Sequence, residues 1–292
     1  MEWIGSLKLA INYMEKHLLE NISADEVADA VYMSPFYFQK GFKIMTGYSV
    51  GEYIRYRRLY LAALESISGN EKIIDLAYKY GYDTPESFTK AFSRFHGVSP
   101  KQMQGDAKKI KTFLPLRINV SVKGGNDMDY VVEKMEDMKV IGYERSFSHE
   151  TAYQEIPKFW SQFCNDCMNR KNNEQIQAVI EECMIGEFGI CIEDSSKEKE
   201  FLYMIAGKYN GGNIPEGMKI FEMPALEWAK FKCTGPLPGA LQAVNTQIFK
   251  EWLPGNPEYE IACGMNIEWY SKGDGSAIDY ESEIWVPVKK KK

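Results

Sequence analysis

Residues 34–43 read SPFYFQKGFK and residues 84–93 read TPESFTKAFS, a recurrence at one offset of 50: Ser34/Thr84, Pro35/Pro85, Phe38/Phe88, Lys40/Lys90 and Phe42/Phe92. A hydroxyl residue followed by proline predicts a helix start, because the hydroxyl can accept from an orphan N–H and proline has no N–H to orphan. Gly47 and Gly97, in MTGYS and FHGVS, stand where a left-handed C-terminal cap would close each helix. Upstream, Val27-Ala28 matches Leu76-Ala77 at offset 49, and Ser23 with Glu26 forms a capping box before ADEVADAV. The simplest reading is two helix-turn-helix units in tandem, joined by a long helix within SVGEYIRYRRLYLAALESI.

The shared positions Phe38 and Phe42, with Met45, form one apolar stripe, while Phe36, Gln39, Lys40 and Lys43 form another, mostly polar one. The second copy changes that outer stripe to Glu86, Thr89, Lys90 and Ser93. Conserving a core while varying a surface suits two reading heads on one scaffold. Gln pairs with adenine, Lys donates to guanine, Glu accepts from cytosine and Phe packs on thymine methyls. About 18 residues of linking helix span about 27 Å, close to the ~34 Å between successive major grooves on one face of DNA. Arg55, Arg57 and Arg58 near its start are candidates for phosphate contacts, and Ser34, Thr84, Thr89 and Arg94 join them.

These repeats, the segment GEYIRYRRL and above all IIDLAYKYGYDTPESFTKAFSRFHGVSP (73–100) resemble the DNA-binding domain of the AraC/XylS family of transcription regulators over about residues 8–103. The resemblance maps base contacts to Phe36, Gln39, Lys40 and Lys43 in the first reading helix and to Glu86, Ser87 and Lys90 in the second. It also implies double-stranded DNA and RNA polymerase as partners, and activation rather than repression.

From Gln104 to Asp127 the text turns polar, with Lys108, Lys109 and Lys111 clustered and Gly124-Gly125 flexible, which reads as a linker. The expected division is 1–107, a linker 108–127, and a second domain 128–290. In that second domain, strand patterns surround two amphipathic helices, TAYQEIPKFWSQFCNDCMNRK and LPGALQAVNTQIFKEWLP. A unit of strand, helix, strand and strand thus occurs twice, predicting an α+β domain of two similar halves. IPKFW, WAKFKCTGPLP and ESEIWVPV resemble the GyrI-like effector-binding domain, which implies a cleft for small, cationic, aromatic molecules. Glu281 and Glu283 share one strand face with Trp285. A carboxylate beside aromatic rings receives a delocalised cation. Trp160, Tyr203, Trp228 and Trp269 complete the candidate ligand set.

Composition adds exclusions. Residues 1–112 carry 15 Lys+Arg against 13 Asp+Glu, while 113–292 carry 20 against 28, so a mildly basic part precedes an acidic one. Without an apolar run of about 18 residues, no membrane span is expected and the cytoplasm is the expected location. The six cysteines read as reduced thiols, and Cys164-Asn-Asp-Cys167 has neither a second pair nor a nearby His. No metal, cofactor or catalytic constellation is expected; a hydrolase of strained electrophiles using Glu283 and a protein-binding module are the competing readings. Tandem heads are compatible with a monomer or a homodimer.

Overall fold

The computed structural model describes residues 3–68, 71–104, 109–118, 128–168, 174–193 and 200–291. It divides into two compact units, Met1–Val122 and Lys123–Lys292. Lys108 and the Gly124-Gly125 pair lie outside the described residues. No helix among the described residues is long and apolar enough to cross a membrane.

The first unit contains helices α1 (Trp3–Lys16), α2 (Ala24–Asp29), α3 (Pro35–Thr46), α4 (Val50–Ser68), α5 (Ile73–Lys79), α6 (Pro85–His96) and the short α7 (Pro100–Met103). The two copies fold as the repeat predicts. Ser23 and Glu26 close the expected capping box on α2, Pro35 and Pro85 open α3 and α6, and Gly47 and Gly97 cap them at φ 82° and 80°. Phe38, Phe42, Phe88 and Phe92 are fully buried. Even the backbone bonds of the turns repeat at offset 49: Met33 N donates to Ala28 O as Tyr82 N donates to Ala77 O, both at 3.0 Å.

α4 is the strut, and its arginines are structural. Arg57, only 6% exposed, pairs with Glu15 of α1 at 2.7 Å and donates to the carbonyl of Phe113. Tyr53 donates to the same Glu15. Phe113 belongs to the segment expected to be a linker, yet its ring meets Tyr48, Tyr53, Tyr56 and Phe95. Ile110 also packs on the core formed by α4, α5 and α6. The apolar pair Ile110 and Phe113, both partly buried against this core, is what overrides the polar composition around it.

His96, at the end of α6, is held between two backbone groups. One ring nitrogen faces Leu59 O at 3.1 Å and the other accepts from Lys111 N at 3.1 Å, which requires the neutral tautomer with hydrogen on Nε2.

The second unit holds nine strands among the described residues: β1 (Tyr130–Met135), β2 (Met138–Ser148), β3 (Phe188–Glu193), β4 (Glu200–Lys208), β5 (Lys219–Met223), β6 (Leu226–Thr234), β7 (Tyr259–Ile261), β8 (Met265–Tyr270) and β9 (Glu281–Lys290). Eight run in the order β1-β6-β9-β8-β3-β4-β2-β5, and β7 pairs with β9. The predicted duplication is visible as β2, α8 (Ala152–Met168), β3, β4 and then β6, α10 (Gly239–Gln247), β8, β9. The central strands β3 and β8 join the halves antiparallel, Ile190 opposite Ile267. Each half also lends its first strand to the other, since β1 pairs with β6 and β5 with β2. Helix α9 (Glu174–Glu182) and strand β7 were not expected from sequence.

Burial lowers the affinity of His96 for a proton below the ordinary histidine value. The unfolded chain then binds the extra proton first, so this contribution to stability is complete above about pH 6.5 and is lost as pH falls beneath it. Thermal melts between pH 7.5 and 5 should show a decline that is shallower in His96→Gln.

Candidate DNA interface and effector cage

On α6 the predicted reading face is open. Glu86, Ser87 and Lys90 are exposed, and Pro85, Glu86, Thr89, Lys90 and Ser93 line a depression of about 390 Å³. Thr84 caps the helix, accepting from Ser87 N at 3.1 Å, and Arg94 is exposed on the next turn. The helix therefore offers an acid, two hydroxyls and an ammonium along one side, the donor and acceptor mix of a major-groove reader.

On α3 the face is more occupied. Gln39 donates to Asp25 at 3.3 Å. Lys43 pairs with Glu52 at 2.8 Å, and Glu52 also accepts from Ser49 N at the start of α4. Phe36 departs from the expectation of an exposed thymine contact: it is 2% exposed, edge-on to Tyr37, with the Lys40 ammonium 5.7 Å from its ring centre. A phenyl ring loses favourable transfer free energy when left in water, whereas the carboxylate of its counterpart Glu86 gains hydration there. Ser34 precedes the helix without a side-chain capping bond.

Two phosphate assignments are corrected. Arg57 is committed to Glu15 and Phe113 O, and Arg58 donates to the carbonyls of Leu18 and Glu20, the first at 2.6 Å. Both guanidiniums are thus committed to acceptors within the unit. Arg55, on the opposite side of the same turn, is exposed.

In the sheet unit, strand register sorts the candidate ligand residues onto two faces. Glu283 is opposite Trp269, Trp285 is opposite Lys230, and Trp228 is opposite Pro287, so these share one face. There Trp285 donates to Glu283 and lies under the Lys230 ammonium, 4.1 Å from its ring centre. Trp269 donates to Glu187 at 3.0 Å. Trp228, 1% exposed, is core. Glu281 sits at the strand edge, paired with Lys232 at 2.6 Å.

Trp160 and Tyr203 lie instead with Glu268 and Tyr270 on the other face, under α8. Glu268 Oε2 accepts from Tyr203 at 2.8 Å and from Tyr270 at 2.9 Å, and Trp160 Nε1 donates to the Tyr203 oxygen at 2.8 Å. The rings of Trp160 and Tyr270 meet edge to face at 5.0 Å. Gly189, opposite Glu268 in β3, leaves the gap in which this forms: a Cβ there would stand 2.1 Å from the Tyr203 oxygen and 3.1 Å from Glu268. Burial and the neighbouring carboxylate hold both phenols well above their ordinary pKa, so they remain donors. Among the described residues no Lys or Arg pairs with Glu268. A carboxylate fixed by two phenols beside aromatic rings has the chemistry that attracts a cation. Glu268 and Tyr270 were missed from sequence although MNIEWY carries the same alternate-residue signal that drew attention to ESEIWVPV.

A model of integron-associated effector binding proteins matches residues 132–288. The chain belongs to that family. A helix-turn-helix model matches residues 27–106, and this N-terminal part is of the AraC type. MarA, the multiple antibiotic resistance protein of Escherichia coli, is 30% identical over 103 residues, 34% of this chain and 81% of MarA. The transcriptional activator AarP of Providencia stuartii is 36% identical over 88 residues, 30% of this chain and 65% of AarP. The helix-turn-helix transcriptional regulator YbfP of Bacillus subtilis is 29% identical over 169 residues, 54% of this chain. The chain spans about half the length of YbfP, 56%.

Truncating Arg55 to Ala should reduce the slope of log affinity against log salt by about one for any duplex bound, the loss of one phosphate contact. Arg57→Ala should leave that slope unchanged in the folded protein and cost about 3 kcal/mol of stability, because it strands Glu15 beside Tyr53; fluorescence anisotropy and urea melts separate the two.

Proposed function

We propose that this protein is a one-component transcription regulator, in which the tandem helix-turn-helix unit binds double-stranded DNA and the sheet unit binds a lipophilic aromatic cation at Glu268. The observation that carries the ligand class is the cage itself: one carboxylate, held by Tyr203 and Tyr270 and walled by Trp160, with no basic side chain among the described residues to neutralise it. An anion would meet like charge there. A neutral ligand would have to leave the carboxylate without a counter-charge.

Activation, with RNA polymerase as protein partner, is the favoured direction, supported by the likeness of the N-terminal part to AarP. The ligand can act only by binding two states of the protein unequally. An enzymatic role is disfavoured on chemical grounds. Burial and the neighbouring carboxylate hold the Tyr203 and Tyr270 phenols protonated, so neither is poised as a base near neutral pH.

Tetraphenylphosphonium and tetraphenylborate share a shape and differ in charge. The cation should raise the melting temperature, by the equivalent of about 2.7 kcal/mol at a hundred times its dissociation constant, and the borate should not. Glu268→Gln should abolish the shift while Glu283→Gln retains it. Equal shifts from both ions, or an unchanged shift in Glu268→Gln, would overturn the assignment.

A further inference from the structure

Tyr32 ends α2 in a left-handed conformation, φ 56°, and is 87% exposed. A bulky residue rarely adopts this conformation, because its Cβ crowds the backbone. The turn demands it all the same. Tyr32 N donates to Asp29 O and the next N–H to Ala28 O, the bonding of a helix C-terminus whose capping residue is normally glycine. The second copy follows the rule. Its equivalent residue, with the same pair of bonds, is Gly81 at φ 78°.

The first copy therefore keeps a tyrosine where its twin shows that glycine suffices, and the ring recovers nothing by packing. Met184 is the other non-glycine residue at positive φ among the described residues, and its side chain is more covered, at 41% exposed. Strain retained without compensating contacts points to a use outside the folded chain. Tyr32 lies two residues before Ser34, at the end of α3 where the helix dipole is positive and from which the first reading head begins. A phenol there can donate to a phosphate oxygen, a contact that positions without reading sequence.

We propose that Tyr32 is a backbone anchor of the first reading head, its hydroxyl donating to a DNA phosphate beside the groove that α3 enters. This rests on the DNA-binding reading above. The second head has no counterpart, since Gly81 presents only backbone and lies against the Arg58 guanidinium, 2.8 Å from where a Cβ would be.

The test uses the full chain and a duplex enriched by it from a random-sequence pool. Tyr32→Gly should melt at a higher temperature than the wild type, with strain relieved, yet bind that duplex about tenfold more weakly. Tyr32→Phe should melt as the wild type does and lose a similar factor, which isolates the hydroxyl. Because the lost group is neutral, the salt slope should stay the same in both. Variants that bind within twofold of the wild type, or a Tyr32→Gly that melts lower, would overturn the anchor while leaving DNA binding intact; a partner other than DNA would give the first of these. Failure of the wild type to enrich any duplex would sink the DNA-binding reading and the anchor with it.

Discussion

The first unit depends on one buried charge pair. Arg57 projects from the strut α4, and its guanidinium is divided between Glu15 on α1 and the carbonyl of Phe113 downstream of α6. Tyr53, one turn earlier, donates to the same Glu15 and accepts from Leu116 N. Two segments distant in sequence are thereby fixed to one turn of one helix. A buried pair of this kind gains little net energy over an apolar replacement, since both ions lose hydration. What it adds here is registry: Arg57 has partners on both sides of α4, so the rotation of the strut about its axis is specified, and with it the angle between the two reading heads.

That registry explains which parts of the fold were legible in the sequence. The repeat made α2, α3, α5 and α6 readable because each carries its own punctuation: a capping box at Ser23, proline after a hydroxyl, glycine at Gly47 and Gly97. These are local signals, satisfied within a few residues. The roles of Arg57 and Arg58 were not local. Three arginines at the start of an amphipathic helix look alike in a sequence, and only tertiary structure separates Arg55, which points out, from two that satisfy acceptors 38 to 56 residues away. The segment after α7 misled for the same reason, since two apolar side chains among lysines were enough to dock it.

In the sheet unit the duplication was legible and the crossing of edge strands was not. Periodicity locates a strand without naming its neighbour. Exchanging β1 and β5 between halves makes each half incomplete without the other, so the sheet is a single cooperative object around β3 and β8. The alternate-residue rule that grouped Glu281, Glu283 and Trp285 was sound as geometry, and the same rule groups Glu268 with Tyr270. Which face carries the cage was decided by α8, which brings Trp160 over one side, and by Gly189, whose missing side chain admits the Tyr203 hydroxyl.

The cage also sets what kind of ligand selectivity is physically available. Glu268 is already positioned by two phenol donors, so no large rearrangement is needed to present its charge. On the proposed reading, a cationic ligand gains from Coulomb attraction and from ring faces whose positions are held by Trp160 and Tyr270 in mutual edge-to-face contact. Neither term depends on a hydrogen-bonding pattern on the ligand. Sites that reject analogues strongly do so by leaving their own polar groups unpaired, and here those groups are paired with one another. For the proposed cation site, discrimination by charge and bulk, with tolerance of chemical detail, follows from that arrangement, and discrimination of DNA sequence is left to the helix-turn-helix units.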